Sequence, residues 1–334
     1  MDGDRQVALI SASVSELQLR RTKRRALLPL GMHRSGTSLL TYLLHTLGAT
    51  LPDDVVGPAC GNPLGHWEPR NLVMINDEAL QAIDRSWDDP RPIDPAWFHS
   101  RDAYRFIERI VVQIGRDYGC APLILLKDPR ICRILPLYLT ALDILDIEPL
   151  VILLLRPFHE VARSLANRDG FEPDLSEFLW LRSIVEAEYV SRSCSRVWVT
   201  LDQVISDWHG TARRIASTLR IDWTKACDEA TCQPSPFIKP RLYHPIHESS
   251  TRPDVARWLV PQVWNAVQHG IGGNDREARA RFDELWLALR DLDRLSTWRL
   301  EGLRRRYDDT IAAMCDSTSW RVTKPLRALK RLMQ

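Results

Sequence analysis

The chain has 334 residues, 45% of them apolar and 26% charged, enough for a sizeable core and too apolar for a mostly disordered chain. Forty-five Lys and Arg against 43 Asp and Glu leave a formal charge of +2. No global field therefore argues for nucleic acid, and anion specificity must come from local placement.

Residues 1–24 are polar and then basic, and read as a loose N-terminal arm. The apolar run that follows, Ala26–Met32, is broken by His33 and Arg34 before it reaches the length of a signal peptide. Ala26–Leu30 instead predicts a buried strand ending at Gly31. Beyond the turn Gly31–Gly36, the residues Leu39, Leu40, Leu43, Leu44 and Leu47 recur at helical spacing, with Gly48 as the C-terminal stop. The stretch 49–100 is rich in Pro, Gly and Asp, predicts a short helix near Leu72–Ile83, and has the character of a substrate-facing lid.

A helix is expected around Tyr104–Ile114, then a strand at Leu123–Leu126 running into Lys127-Asp128-Pro129-Arg130. Ile131–Leu145 reads as a helix that Pro136 can kink. Leu150–Leu155 is the most apolar strand and ends at Arg156-Pro157. Helices near 158–168 and 175–193, a strand Arg196–Thr200 and a helix near 203–219 complete the alternation. Apolar strands separated by helices predict an α/β fold, a parallel sheet covered on both faces in three layers.

From Asp275 to Met314 apolar residues recur at helical intervals in a highly charged background, a helix, helix pair or coiled coil that would suit self-association. The tail 317–334 is basic and suits contact with anionic lipid headgroups. The division expected from composition is an arm at 1–24, an α/β domain at 25–245, a helical C-terminal extension at 246–316 and the tail. Seven scattered cysteines offer no zinc spacing, and no run approaches the roughly 20 apolar residues of a membrane span. A reduced cytoplasmic chain, in contact with a membrane at most peripherally, is the expectation.

The chemistry concentrates at strand ends. Gly31-Met32-His33-Arg34-Ser35-Gly36-Thr37-Ser38 has the Gly-x4-Gly spacing of a P-loop, between a buried strand and a helix. Backbone N–H groups and the helix dipole converge there on an anion. Thr37 stands where a nucleotide kinase needs Lys, no later strand ends in a clear magnesium-binding acid, and a cation appears inside the loop at Arg34. The loop therefore suits a phosphate whose charge is met by Arg and Lys rather than by a metal. Arg156, leaving a strand at the carboxyl edge, suits a phosphate dianion through its guanidinium fork.

The run from Gly31 to Ser38 resembles the 5′-phosphosulfate loop of sulfotransferases that use 3′-phosphoadenosine 5′-phosphosulfate (PAPS), bacterial and tyrosylprotein-type members in particular. Arg156-Pro157-Phe158-His159-Glu160-Val161-Ala162-Arg163-Ser164 is similar to that family's 3′-phosphate motif, and Lys127-Asp128-Pro129 to its Lys-Asp-Pro. The resemblance spans about residues 26–245. It implies a P-loop type fold, PAPS as donor with PAP as product, and no metal. It further implies cofactor contacts from His33, Arg34, Ser35, Gly36, Thr37, Ser38, Arg156 and Ser164, with Arg34 and Lys127 also facing the transferred group.

Gly65-His66-Trp67-Glu68 carries the Gly-x-Trp-Glu of bacterial members. Glu68 is the favoured proton acceptor, because partial desolvation beside Trp67 would raise a carboxylate toward neutrality. His66 competes without any tuning, and Asp128 is a third candidate that more readily orients its neighbours. The acceptor is expected to be a hydroxyl, of a glycan or glycolipid. Trp67, Trp87 and Trp97 are candidates to face it, Phe237–His244 to cover the cofactor, and Ser317–Arg327 resembles tails of bacterial polysaccharide-assembly proteins. The alternatives are a P-loop phosphotransferase or small-molecule kinase, and a non-catalytic scaffold with a degenerate loop.

Overall fold

The computed structural model describes residues 23–59, 62, 65–223 and 255–294. The N-terminal arm up to 22, Cys60, Cys227, Cys232 and Cys315, the stretch Phe237–His244 and the tail 317–334 lie outside the described residues.

Among the described residues four parallel strands form one sheet in the order β2-β1-β3-β4. They are β1 (Arg24–Leu30), β2 (Leu123–Leu125), β3 (Ile147–Leu155) and β4 (Ser195–Thr200). The expected α/β architecture with a central parallel sheet is present. Pro29, which has no N–H to give, is tolerated within β1 because β2 pairs only as far as Leu27, leaving β3 as the sole neighbour at that height.

The helices are α1 (Thr37–Thr46), α2 (Arg70–Gln81), α3 (Arg101–Tyr118), α4 (Ile131–Ile144), α5 (Phe158–Asp169), α6 (Pro173–Val190), α7 (Leu201–Ser206), α8 (Trp208–Leu219), α9 (Val255–Ile271) and α10 (275–294). Alternate strand residues divide between two faces. Leu27, Leu125, Ile152, Leu154, Val197 and Val199 pack with leucines of α1 and with Trp208, Ile215 and Leu219 of α8. The other face is covered by α4, α6 and α9.

Sequence and structure differ where local capping intervenes. The single helix expected over 203–219 is two, because the Thr200 hydroxyl and Gln203 form a reciprocal cap for α7 while Asp207 Oδ1 accepts from Gly210 N at 2.8 Å to start α8. Pro136 does distort α4: Ile134 sits at φ −118°, ψ 24°. Gly270 of α9 lies against Trp198 of β4, so closely that a Cβ there would stand 2.7 Å from the indole. The first stretch of the expected C-terminal helical region is thus packed directly onto the sheet.

By its contacts the chain divides into a unit spanning 1–286 and a second spanning 287–334. Of the second, only 287–294 is described, and it is helical. Among the described residues no helix is long and apolar enough to cross a membrane.

Candidate functional site

The strand order changes direction at β1: the chain runs from β1 to β2 on one side, then returns to β3 on the other. Such a switch point leaves a crevice outside the carboxyl ends of the strands. Three predicted motifs sit at three adjacent strand ends there: Lys127 after β2, the loop 31–36 after β1, and Arg156 after β3.

The loop is a tight, strained turn. Ser35 N donates to Met32 O at 3.1 Å, and Arg34 stands at φ 69°. Gly36 at φ 91° opens α1 in a conformation only glycine adopts cheaply. Gly31 is equally constrained by space, since a Cβ would stand 2.8 Å from the Leu154 carbonyl oxygen. No side chain caps α1, so its first N–H groups remain for another acceptor. The Ser35 hydroxyl and His33 Nε2 are buried with no hydrogen-bond partner among the described residues, a rare state for polar atoms in a protein interior.

Around this turn the side chains interlock. Arg34 Nε donates to Ser164 Oγ at 2.7 Å, joining the loop to α5. Arg156 Nη1 donates to the Arg34 carbonyl at 2.8 Å, and Arg156 Nε pairs with Glu160 one helical turn on, also at 2.8 Å. The structure therefore brings Arg34, Arg156 and Ser164 together, with Arg34 as the bridge. Arg156 also braces the strained loop, and it holds an acid, Glu160.

Lys127 is almost wholly buried. Its ammonium donates to Glu68 Oε1 at 2.5 Å, the His66 carbonyl at 2.9 Å and Ser38 Oγ at 3.3 Å. Ser38 in turn donates to the same His66 carbonyl at 3.1 Å and accepts from Asn62 at 3.3 Å. Two polar clusters thus stand at adjacent strand ends: Arg34, Arg156 and Ser164 in one, and Ser38, His66, Glu68 and Lys127 in the other.

Glu68 is 5% exposed. Burial pushes its pKa up and outweighs the pull of Lys127; Asp128 adds to the rise and Arg130 opposes it. His66, with its ring at the mouth, is pushed down to about 4 by burial and by Lys127, Arg168, Arg34 and Arg130. His33 is held neutral by burial, then by Arg130, Arg168 and Lys127. Two histidines depressed by four surrounding cations mark the crevice as electropositive.

Asp128, the third base candidate, is fully engaged. It accepts from Asn76 Nδ2 at 2.8 Å, from Arg130 N at 2.9 Å and from Arg130 Nη1 at 3.0 Å, while the Tyr138 hydroxyl donates to Asn76 Oδ1 at 2.9 Å. It orients its neighbours. Asn76 escaped the sequence reading, although it lies on the Leu72-Ile75-Ala79-Leu80 face of α2, where a polar residue signals a buried partner.

The tryptophans separate. Trp87 packs on the loop, its ring 4.3 Å from His33 and 5.5 Å from Phe171, with the Arg168 guanidinium 5.5 Å from it. Trp67, at φ 59°, packs instead toward Tyr42 of α1 at 5.4 Å. Trp97 pairs with Phe98 at 5.2 Å, in a short 3-10 turn spanning Pro95–His99. Trp198, Trp208 and Trp286 fall on β4, α8 and α10.

No family model matches the chain, and no curated protein matches it. Among solved structures it is similar to the sulfotransferase domain of the Synechococcus PCC 7002 olefin synthase. The TM-score is 0.44 at 15% identity, over 74% of this chain and 96% of that one. It is also similar to the sulfotransferase domain from the curacin biosynthetic pathway, with a TM-score of 0.36 at 12% identity, over 64% of this chain and 78% of that one.

Proposed function

We propose that the protein is a sulfotransferase that takes a sulfuryl group from PAPS and delivers it to a hydroxyl, most naturally of a sugar in a glycan or glycolipid. The observation that carries this reading is the junction of Arg34 with Ser164 and Arg156 beside an αL glycine turn, while Lys127 and a buried carboxylate face it from the neighbouring strand end. The donor set fits a nucleotide with two separate phosphates. The uncapped start of α1, Ser38 and Arg34 suit the 5′-phosphosulfate, and Arg156 and Ser164 suit the ribose 3′-phosphate. A kinase would need a Lys where Thr37 stands.

The donor supplies a sulfur that accepts an in-line nucleophile. Lys127 turns from Glu68 toward the sulfuryl and bridging oxygens, which frees one Glu68 oxygen. Glu68 then takes the proton of the acceptor hydroxyl as its oxygen bonds to sulfur. Arg34 and the loop N–H groups hold the phosphate oxygen whose bond to sulfur breaks, so PAP leaves with its charge met. His66, beside Glu68 with Nδ1 4.0 Å from Oε1, lines the approach. Trp87 and Phe171 offer apolar ring surface beside the loop, which suits a sugar acceptor.

Cytoplasmic location, peripheral contact of the basic tail with anionic lipid, and self-association through the C-terminal helix belong to the same proposal. The experiment is incubation with sulfur-labelled PAPS and fractionated glycans, glycolipids and peptides. Label in a carbohydrate fraction is the expected outcome. Label nowhere, with ATP rather than PAP raising the melting temperature, would favour the kinase alternative.

A further inference from the structure

Arg130 is a cation in the crevice that the transfer chemistry leaves unused, and its surroundings are unusual. It follows Lys127-Asp128-Pro129 at the end of β2, with a side chain 12% exposed. Its guanidinium reaches three carboxylates from three segments. Nε donates to Asp77 Oδ1 of α2 at 2.6 Å, and Nη1 donates to Asp128 Oδ1 at 3.0 Å. Nη1 also stands 3.8 Å from Glu68 Oε2. Lys127 holds the other Glu68 oxygen, so the carboxylate lies between two cations of quite different fate. Lys127 has a soft set of partners, including two oxygens it can leave for a ligand. Arg130 is locked by Asp77 and by an Asp128 that is itself fixed through Asn76 and Tyr138.

We propose that Arg130 is a positioning residue for the proton-accepting carboxylate. It keeps Glu68 ionised and aimed after Lys127 has turned to the donor, and so sets the acid limit of the transfer. This rests on the sulfotransferase reading and on Glu68 as its base. The charged and titratable groups facing Glu68 are Lys127, Asp128 and Arg130 from the end of β2, with His66 from its own segment. Lys127 is committed to the donor during turnover, His66 is neutral there, and Asp128 disfavours the anion. Arg130 is therefore the cation left to oppose burial at the moment the base is needed. Asp77, 39% exposed in its side chain, draws part of that charge away from Glu68.

Two substitutions move this balance in opposite directions. Arg130→Gln removes the cation, so Glu68 protonates more readily and the acid limb of the kcat/KM profile moves to higher pH. The loss at pH 6 should exceed the loss at pH 8 by about tenfold. Asp77→Asn leaves Arg130 held by Asp128 and concentrates its charge on Glu68, so the acid limb moves to lower pH. Both should bind PAP by calorimetry within about threefold of the wild type, since neither residue belongs to the donor contacts. A brace of purely structural importance would lower activity evenly across pH, and would not give opposed shifts.

Limbs that stay in place in folded, PAP-binding variants would overturn the proposal while leaving the sulfotransferase reading intact. If Arg130→Gln does not fold, Asp77→Asn decides alone, and an unmoved or upward limb sinks the idea. A wild type that binds no PAP and transfers no label would overturn both readings together.

Discussion

Replacing Lys127 by methionine isolates the energetic core of the site. The ammonium and the Glu68 carboxylate are 2.5 Å apart with side chains 1% and 6% exposed, so water screens neither. Methionine has similar bulk and leaves Glu68 buried without its closest cation. Breaking a buried pair from one side typically costs about 3–5 kcal/mol. At roughly 2 °C per kcal/mol for a domain of this size, that is a melting temperature lower by roughly 6–10 °C.

The loss has a definite pH signature. Burial already raises the Glu68 pKa above its ordinary value, and removing Lys127 raises it further in the folded state alone. A carboxylate raised in this way favours folding while protonated. Its contribution is present below the ordinary carboxylate range and is lost as pH rises through the raised value. The variant should therefore be closest to wild type near pH 5 and furthest from it near pH 8. Adding Glu68→Gln removes the stranded charge, and the double variant should recover at least half of the loss. Scanning calorimetry at both pH values measures all of this. A double variant no more stable than Lys127→Met, or a deficit independent of pH, would refute the reasoning that this pair is a buried, mutually dependent unit.

Four other substitutions probe the anion side. Arg34→Ala should lower sulfuryl transfer by roughly 100-fold or more, with the fold retained in circular dichroism, because its charge meets the breaking bond. Ser164→Ala removes one hydroxyl from the Arg34 junction and should weaken PAP binding about fivefold by calorimetry, the equivalent of ~1 kcal/mol. Glu160→Gln releases Arg156 from its resting partner and should tighten PAP binding about two- to threefold, as expected of a partly exposed ion pair. Gly36→Ala puts a Cβ at φ 91°, 2.5 Å from Leu201 Cδ1, and should lower stability by roughly 1–2 kcal/mol for the left-handed backbone alone.

Much of the architecture was legible because strand and helix carry different periods here. The apolar runs Ala26–Leu30 of β1 and Leu150–Leu155 of β3 point to a sheet covered on both faces, and the leucines from Leu39 to Leu47 to a helix. The missed break at Asp207 is a capping event, set by one carboxylate and one backbone N–H, which a periodicity of apolar residues does not register. The strand-end motifs located the candidate site, since cations immediately after apolar strands fall at one sheet edge by topology. Their pairing was not legible. The resemblance implied Arg156 and Ser164 as contacts of one phosphate, whereas the αL turn at Arg34 carries its side chain to Ser164 and its carbonyl to Arg156. Arg130 was hidden for a similar reason: its partners Asp77 and Glu68 lie 53 and 62 residues away in sequence, and only the packing of α2 against the end of β2 joins them.

Calorimetric titration of the protein with PAP, set beside ADP, bears most directly on the claim that two phosphate pockets flank β1 and β3. A single PAP site is expected, with ADP at least tenfold weaker because it lacks the 3′-phosphate for Arg156 and Ser164. Equal affinities, or no heat with PAP, would contradict the account.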